Sequence, residues 1–184
     1  MELHNASTPE SNDQSPVTLM VQGDSYEDKV GAVGEKLVLL AAFAKELQTQ
    51  AHLIHFNYEG SNFLAVHAFL KEQYELHTEQ FDTLGELVRT LNYWMPMCAC
   101  GLKEAVGPCF KNVESYEGDA MLTTYYRNLE SFSSMVKMVE PAAQETQHYD
   151  IANYMAELIT QTWKICWMVK ACLLYTSPSP RDRG

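Results

Sequence analysis

The sequence predicts an all-α protein, a four-helix bundle with a short extra helix in its central connection. Two observations lead to this prediction. Apolar residues recur at steps of three and four in four long segments between residues 26 and 171, which is the spacing of amphipathic helices that bury one face. The connection between the second and third segments is longer than the others and is interrupted by proline and glycine. Four long helices with one longer central connection indicate a bundle.

The composition limits the class of protein. With 184 residues, 46% of them hydrophobic and 20% charged, the chain fits one soluble globular domain. Its longest apolar run, Leu37 to Ala44, is too short to cross a bilayer. Its first residues lack the basic and apolar segments of a secretory signal. We therefore expect a cytoplasmic protein without a membrane segment.

The N-terminal segment and the first helix differ in composition. Residues 1–25 are rich in Ser, Asn, Asp, Glu and Pro and show no apolar periodicity, so we expect a flexible acidic tail. Helical spacing then extends from about Glu27 to about Tyr58. A polar turn follows, in which Ser61 or Asn62 is expected to cap the second helix.

The remaining helices follow from the same pattern. The second helix has the clearest apolar stripe, Val66–Leu91. The central connection contains a predicted short helix, Ala99–Val106. The third long helix is expected to end near Pro141, since proline removes a backbone donor and clashes with the preceding turn. The fourth is expected to start near Asp150, which can cap it.

The end of the chain, residues 172–184, resembles the translation of a sequencing-library adapter. We therefore expect the native sequence to be lost after about Ala171 and assign the bundle to residues 26–171. A genuine tail rich in serine and proline is the alternative.

The second helix carries polar residues that suit iron. His67 and Lys71 share one face through their i, i+4 spacing, and so do Asp82 and Glu86. Imidazole nitrogen and carboxylate oxygen are ligands that iron accepts. On spacing alone, however, a merely solvated polar face is the favoured explanation.

The length of this helix decides which metal site is possible. The fifteen positions from His67 to Asp82 span roughly 22 Å at the standard helical rise. Since a metal–ligand bond is only about 2 Å long, one chain cannot bring both ends to one metal. A twofold axis that places two copies of the helix antiparallel would bring His67 of one subunit to Asp82 and Glu86 of the other. His55, near the end of the first helix, would join from the His67 side.

Several residues of this region stand at a recognisable spacing: His55, Phe56, Asn57, Gly60, Phe63, His67, Asp82 and Glu86. This pattern resembles the signature of the Dps proteins, the DNA-binding proteins from starved cells. Their pattern is His-Trp-Asn, Gly, Phe, His, an Asp four residues later, and then Asp with Glu four beyond. The resemblance extends over most of residues 27–171, and the motif lies in the helical context that it requires.

The resemblance implies a ferritin-like mini-ferritin that assembles as a hollow homododecamer, with metal sites across its twofold interfaces. It implies a ferroxidase that oxidises Fe(II), commonly with hydrogen peroxide, stores the ferric product and protects against oxidative damage. The iron ligands that it implies here are His55, His67, Asp82 and Glu86.

Two positions depart from the family pattern. Phe56 replaces the usual Trp and keeps an aromatic ring. Lys71 stands where the family has Asp, and a protonated ammonium cannot bind a metal. This leaves open a second class of function, a degenerate cage with weak or no ferroxidase activity that acts as a structural or interaction protein.

Direct DNA binding is not expected, in spite of the family's name. The formal net charge is −11 at pH 7, and residues 1–25 contain no Lys or Arg, the residues that neutralise phosphates. Contact with DNA would need a divalent cation between the two surfaces.

Other candidate ligands receive structural interpretations. Cys98, Cys100 and Cys109 are assigned to packing or loop positions, because three thiols lack an obvious fourth ligand for a soft metal. His77 falls on the apolar stripe of the second helix, where a hydrogen-bonded packing histidine is expected.

Overall fold

The computed structural model describes residues 25–60 and 62–176. In chain order the helices are α1 (Tyr26–Asn57), α2 (Phe63–Thr90), α3 (Ala99–Val106), α4 (Gly118–Glu145) and α5 (Tyr149–Thr176), with a 3-10 turn at Gly107–Cys109. The predicted all-α bundle is confirmed, and the short central helix has the predicted bounds.

The helices pack as two hairpins that share one core. Helix α1 lies along α2, α4 lies along α5, and α1 joins the hairpins through its contact with α4. The apolar run of α1 is the centre of this core, since residues 40–44 are fully buried. Within the described part of the chain, no helix is long and apolar enough to cross a membrane.

The first two helices begin differently. Helix α1 starts at a capping serine: Ser25 Oγ accepts a hydrogen bond from the backbone N–H of Asp28 at 3.2 Å, which satisfies a donor that the helix leaves free. Asn62 occupies the N-cap position of α2, but its side chain makes no capping hydrogen bond. Asn62 therefore lies at the predicted N-cap position, but its side chain does not cap the helix as predicted. Ser61, the other predicted cap, lies outside the described residues.

The predicted end of the third long helix at Pro141 is wrong, because α4 continues through Pro141 to Glu145. Val139 and Ala143 are buried on either side of this proline, so ending the helix there would expose core surface. Pro141 itself is exposed, and the carbonyl that loses its helical partner can bind water.

The predicted N-cap of the last helix is also wrong. Helix α5 begins at Tyr149, and Asp150 lies within its first turn. At that position the carboxylate is favoured by the positive end of the helix dipole.

Both predicted end segments lie largely outside the described residues, which exclude 1–24 and 177–184. The flexible tail and the adapter-derived end therefore remain predictions. Helix α5 shows no break at Ala171, because it continues to Thr176, and the side chains of Cys172 and Leu173 pack against the core.

The central connection is held to the bundle by a buried amide of α4. Asn128 is fully buried. Its Oδ1 accepts from the backbone N–H of Lys111 at 2.9 Å, and its Nδ2 donates to the backbone oxygen of Lys111 at 2.8 Å and to Gln50 Oε1 at 3.0 Å. Gln50 Nε2 donates to the same Lys111 oxygen at 3.0 Å. These bonds satisfy backbone groups that have no helix to pair them.

Candidate metal centre

The turn between α1 and α2 brings two of the predicted ligands together. His55 lies near the end of α1 and His67 near the start of α2, and their rings stack with centroids 3.6 Å apart. His55 Nδ1 lies 2.8 Å from the backbone oxygen of His67, and His67 Nδ1 lies 3.0 Å from that of His55. Two reciprocal hydrogen bonds therefore link the two helix ends.

These bonds assign the protons of both rings. A carbonyl oxygen only accepts, so each Nδ1 must carry a hydrogen. In the neutral tautomer Nε2 is then the nitrogen with a free lone pair, and a backbone carbonyl on Nδ1 is the usual arrangement that orients a metal-binding histidine. Both Nε2 atoms are thus prepared to bind a cation.

An aromatic cluster frames the two histidines. The His52 ring stacks on Tyr74 with centroids 4.0 Å apart. Tyr74 meets the His55 ring edge-on at 5.5 Å, and the Phe63 ring lies 5.0 Å from that of His67. These contacts restrict the rings from several sides.

Sequence reasoning did not assign Tyr74 and His52 to this cluster. The signal was present in the spacing. Tyr74 follows His67 by seven positions and His52 precedes His55 by three, so each pair lies on one helix face.

The predicted carboxylates lie near the other end of α2. Asp82 and Glu86 are exposed, and neither forms an ion pair or a side-chain hydrogen bond with any described residue. At about 1.5 Å of rise per residue, the helix holds Asp82 roughly 22 Å and Glu86 roughly 28 Å from His67. Within residues 25–60 and 62–176 of one chain, no group of three or more His, Cys, Asp or Glu side chains is arranged to hold a metal ion. The four predicted ligands thus form two separate pairs.

Lys71, the departure from the family pattern, lies one turn after His67. Its Nζ is 3.8 Å from Glu75 Oε1, and both side chains are more than half exposed, at 58% and 56%. An exposed pair of this kind contributes little to stability. The ammonium is therefore held only weakly beside the histidine pair.

The other candidate ligands have structural positions. His77 is a buried, hydrogen-bonded packing residue, as predicted, with partners Gln80 and Tyr125. Cys98, Cys100 and Cys109 are exposed, near or within α3, rather than packed in the core.

Comparison with known proteins identifies the family. Residues 35–176 match the family described as Ferritin, ferritin-like domain. The sequence is also 25% identical over 146 residues to an uncharacterized protein of Haemophilus influenzae, a match that covers 78% of this chain and 91% of the relative. The chain belongs to the ferritin-like family.

Solved structures narrow the likeness within that family. The Dps of Thermosynechococcus elongatus superposes with a TM-score of 0.76 at 18% identity, covering 81% of this chain and 95% of that one. The Dps of Vibrio cholerae, described as a member of a broad superfamily of ferritin-like diiron-carboxylate proteins, gives 0.74 at 19% identity, with 88% and 99% covered. The antigen TpF1 of Treponema pallidum gives 0.73 at 22% identity, with 89% and 99% covered. The fold is that of the Dps proteins, and the resemblance seen in the sequence is confirmed at this level.

Proposed function

We propose that this protein is a Dps-like mini-ferritin that binds Fe(II) between two subunits, oxidises it with hydrogen peroxide and stores the ferric product. The observation that carries the proposal is the hydrogen-bonded pair of His55 and His67, in which each ring uses Nδ1 as a donor and keeps the Nε2 lone pair free. The ferritin-like family supports an iron substrate.

The donor set fits iron. His55 and His67 supply imidazole nitrogens, and Asp82 of the partner subunit and Glu86 of the partner subunit supply anionic oxygens. This mixture suits Fe(II) and also stabilises the more highly charged Fe(III). The carboxylates are available because no described residue neutralises them. Each pair of subunits related by a twofold axis would hold two such centres.

Exposed apolar side chains near the histidines in the chain support burial by a second subunit. Leu53 is 54% exposed, Phe56 65% and Leu64 80%, and all three are close to His55 or His67 in the chain. Large exposed apolar side chains of this kind are typical of an interface between copies. We propose a homododecamer as the complete assembly.

Lys71 affects how many iron ions the centre can bind tightly. We propose that its ammonium pairs with Glu86 of the partner subunit and partly replaces the second metal of a two-iron site. One iron position then keeps its imidazole and carboxylate ligands, while the neighbouring position lacks the anionic ligand that Asp would supply.

A degenerate cage with weak metal chemistry is the second candidate function, and Lys71 is the observation that favours it. The two candidates differ in a measurable rate. With hydrogen peroxide, the wild-type cage should oxidise Fe(II) much faster than buffer does, and the His55→Ala/Asp82→Ala variant should lose that advantage.

A matched control is available on the same helix. Glu72→Ala/Glu79→Ala removes two exposed carboxylates of α2 that lie outside the proposed ligand set, and should leave the rate unchanged. Equal rates of Fe(II) oxidation for the wild type, both variants and buffer would refute the ferroxidase activity. The degenerate cage would then be the remaining candidate function.

We also propose that the protein is cytoplasmic and does not compact DNA directly. The chain has 24 acidic and 13 basic residues, so phosphates are repelled at long range. In a gel-shift assay at low salt without divalent ions, DNA should migrate freely, and its retention by the protein would contradict this proposal.

A further inference from the structure

A group of sulfur-containing side chains lies in the connection between α2 and α3. The six residues from Met95 to Cys100 are Met-Pro-Met-Cys-Ala-Cys, so four of the six carry sulfur. Cys98 and Cys100 are exposed, and Met97 is 97% exposed. Packing of the core therefore does not account for these three side chains.

The two cysteines lie at the start of α3, where the chain folds closely on itself. Cys98 is the N-cap residue, and its Sγ accepts a hydrogen bond from the backbone N–H of Gly101 at 3.3 Å. Cys100 lies in the first turn of the same helix. The Cys98 side chain therefore bends over the turn that carries Cys100. Since Cα atoms two positions apart are separated by at most about 7 Å, both sulfur atoms can reach one ion.

Gly101 allows this close folding. A Cβ at position 101 would lie 3.0 Å from Pro96 Cβ and 3.8 Å from Cys98 Sγ, and the first distance is shorter than an ordinary van der Waals contact. Glycine thus lets Pro96 pack directly on the first turn of α3 beside the Cys98 sulfur. This packing restricts the segment before any metal binds, which lowers the ordering cost of binding.

The donor set is suited to a soft monovalent cation. Thiolate and thioether sulfur favour Cu(I), which accepts two or three such ligands, whereas structural zinc sites use four. In residues 25–60 and 62–176, no third His, Cys, Asp or Glu side chain joins this cysteine pair in an arrangement for a metal ion. Met97 can supply a thioether as the third ligand of Cu(I). The negative charge of the bound thiolates is favoured at the N-terminal end of α3.

We propose that Met97, Cys98 and Cys100 form a binding site for one Cu(I) ion per subunit. This site goes beyond the proposed iron chemistry and uses none of the residues that are proposed to bind iron. Its ligands come from one continuous segment of one chain, so each subunit carries a complete site.

Two neighbouring sulfur residues lie outside the site. Met95 is partly buried and packs against the core. Cys109 lies beyond the other end of α3, whose eight residues span roughly 12 Å at the standard helical rise. Both residues therefore provide matched controls for substitution of the proposed ligands.

Competition with a chelator tests the site. The full-length protein is reduced and kept anaerobic, so that its exposed thiols are not oxidised, and is titrated with Cu(I) in the presence of bathocuproine disulfonate, whose Cu(I) complex is coloured. We expect the wild type to withhold one Cu(I) per chain from the chelator and the Cys98→Ser/Cys100→Ser variant to withhold none. Serine is itself a good N-cap, so this variant keeps the start of α3. Cys109→Ser should withhold as much Cu(I) as the wild type.

Two further measurements identify the ligands. Met97→Leu should bind Cu(I) at least about tenfold more weakly, since even groups outside the ligand set change metal affinity by that factor, whereas Met95→Leu should bind Cu(I) as tightly as the wild type. X-ray absorption at the copper edge should show sulfur neighbours only. A large excess of Zn(II) should leave the bound Cu(I) in place, because the soft ligands favour Cu(I).

Several results would overturn the inference. They are the absence of Cu(I) binding in the wild type, its retention in Cys98→Ser/Cys100→Ser, its loss in Cys109→Ser, nitrogen or oxygen neighbours of the copper, and displacement of Cu(I) by Zn(II). Equal affinities of Met97→Leu and the wild type would exclude the three-ligand site. The His55→Ala/Asp82→Ala variant should bind Cu(I) as the wild type does, so failure of the proposed ferroxidase can be distinguished from failure of the copper site.

Discussion

At the scale of single residues, the position of the proton on each histidine ring determines whether that ring can bind a cation. His55 and His67 use Nδ1 to donate to backbone oxygens, which leaves the Nε2 lone pair of each ring free. His77 uses both nitrogens within the core. The first two residues are suited to bind a cation, whereas the third has no nitrogen left for one.

The Lys71→Asp variant tests the proposal that Lys71 limits each centre to one tightly bound iron. The substitution adds the anionic ligand that the second iron position lacks, so an anaerobic Fe(II) titration should change from one tight iron per site to two. The second iron should bind at least about tenfold more tightly, since even outer ligands of metal sites change affinity by that factor. Lys71→Met removes the charge without adding a ligand and is the control. Two equally tight irons in the wild type, or unchanged kinetics in Lys71→Asp, would contradict the proposal.

The buried His77 makes stability depend on pH. Its pKa is about 4 in the folded chain, against 6.5 for the ordinary side chain, because burial disfavours the charged ring. Between these two values the unfolded chain binds a proton at this residue and the folded chain does not. The free energy of unfolding therefore falls as the pH drops from about 6.5 to about 4. The loss over this window is up to about 3 kcal/mol per chain at 1.36 kcal/mol per pKa unit.

Urea unfolding at constant protein concentration, at pH 7.5 and pH 5, measures this dependence. His77→Gln should show a smaller decrease in the free energy of unfolding than the wild type, because one titrating group is absent. An equal decrease in both proteins would show that His77 does not cause the effect.

At the scale of helices, burial outweighed local propensity at the end of α4. Pro141 predicts a helix end because it removes one hydrogen bond and clashes with the preceding turn. The core contacts of Val139 and Ala143 keep the chain helical, and those contacts are made with other elements. A local pattern could therefore not reveal that the helix continues to Glu145.

Asn128→Ala tests how the central connection is held. The substitution removes the partner of the Lys111 backbone N–H and of Gln50 Oε1, while the bond from Gln50 Nε2 to the Lys111 oxygen remains. We expect a loss of about 2–3 kcal/mol in the free energy of unfolding, the usual cost of orphaned buried polar groups. Hydrogen exchange should accelerate at residues 110–113 more than in α5. Asn153→Ala removes an exposed amide and should change neither quantity.

At the scale of the whole molecule, the proposed centre requires two chains, which complementation can test. One variant carries His55→Ala/His67→Ala and the other carries Asp82→Ala/Glu86→Ala, so each alone lacks one half of every site. In a mixed dimer, one site combines the intact histidines of one chain with the intact carboxylates of the other. Random assembly of equal amounts should restore about a quarter of the wild-type Fe(II) oxidation. Activity no higher than that of the separate variants would rule out a shared site.

Much of the fold and part of the site were determined by the sequence alone. The helical periodicity predicted the bundle, and the short helix Ala99–Val106 has its predicted bounds. The separation of His67 from Asp82 also followed directly, because the rise of a helix is fixed and independent of tertiary context.

Only the tertiary structure decided how these residues are held. The reciprocal bonds of His55 and His67 depend on how the turn places α1 against α2. The bond between Tyr125 and His77 joins helices that are far apart in the chain. Spacing within a helix predicts which residues share a face, whereas the partner across a helix boundary depends on the packing of the whole core.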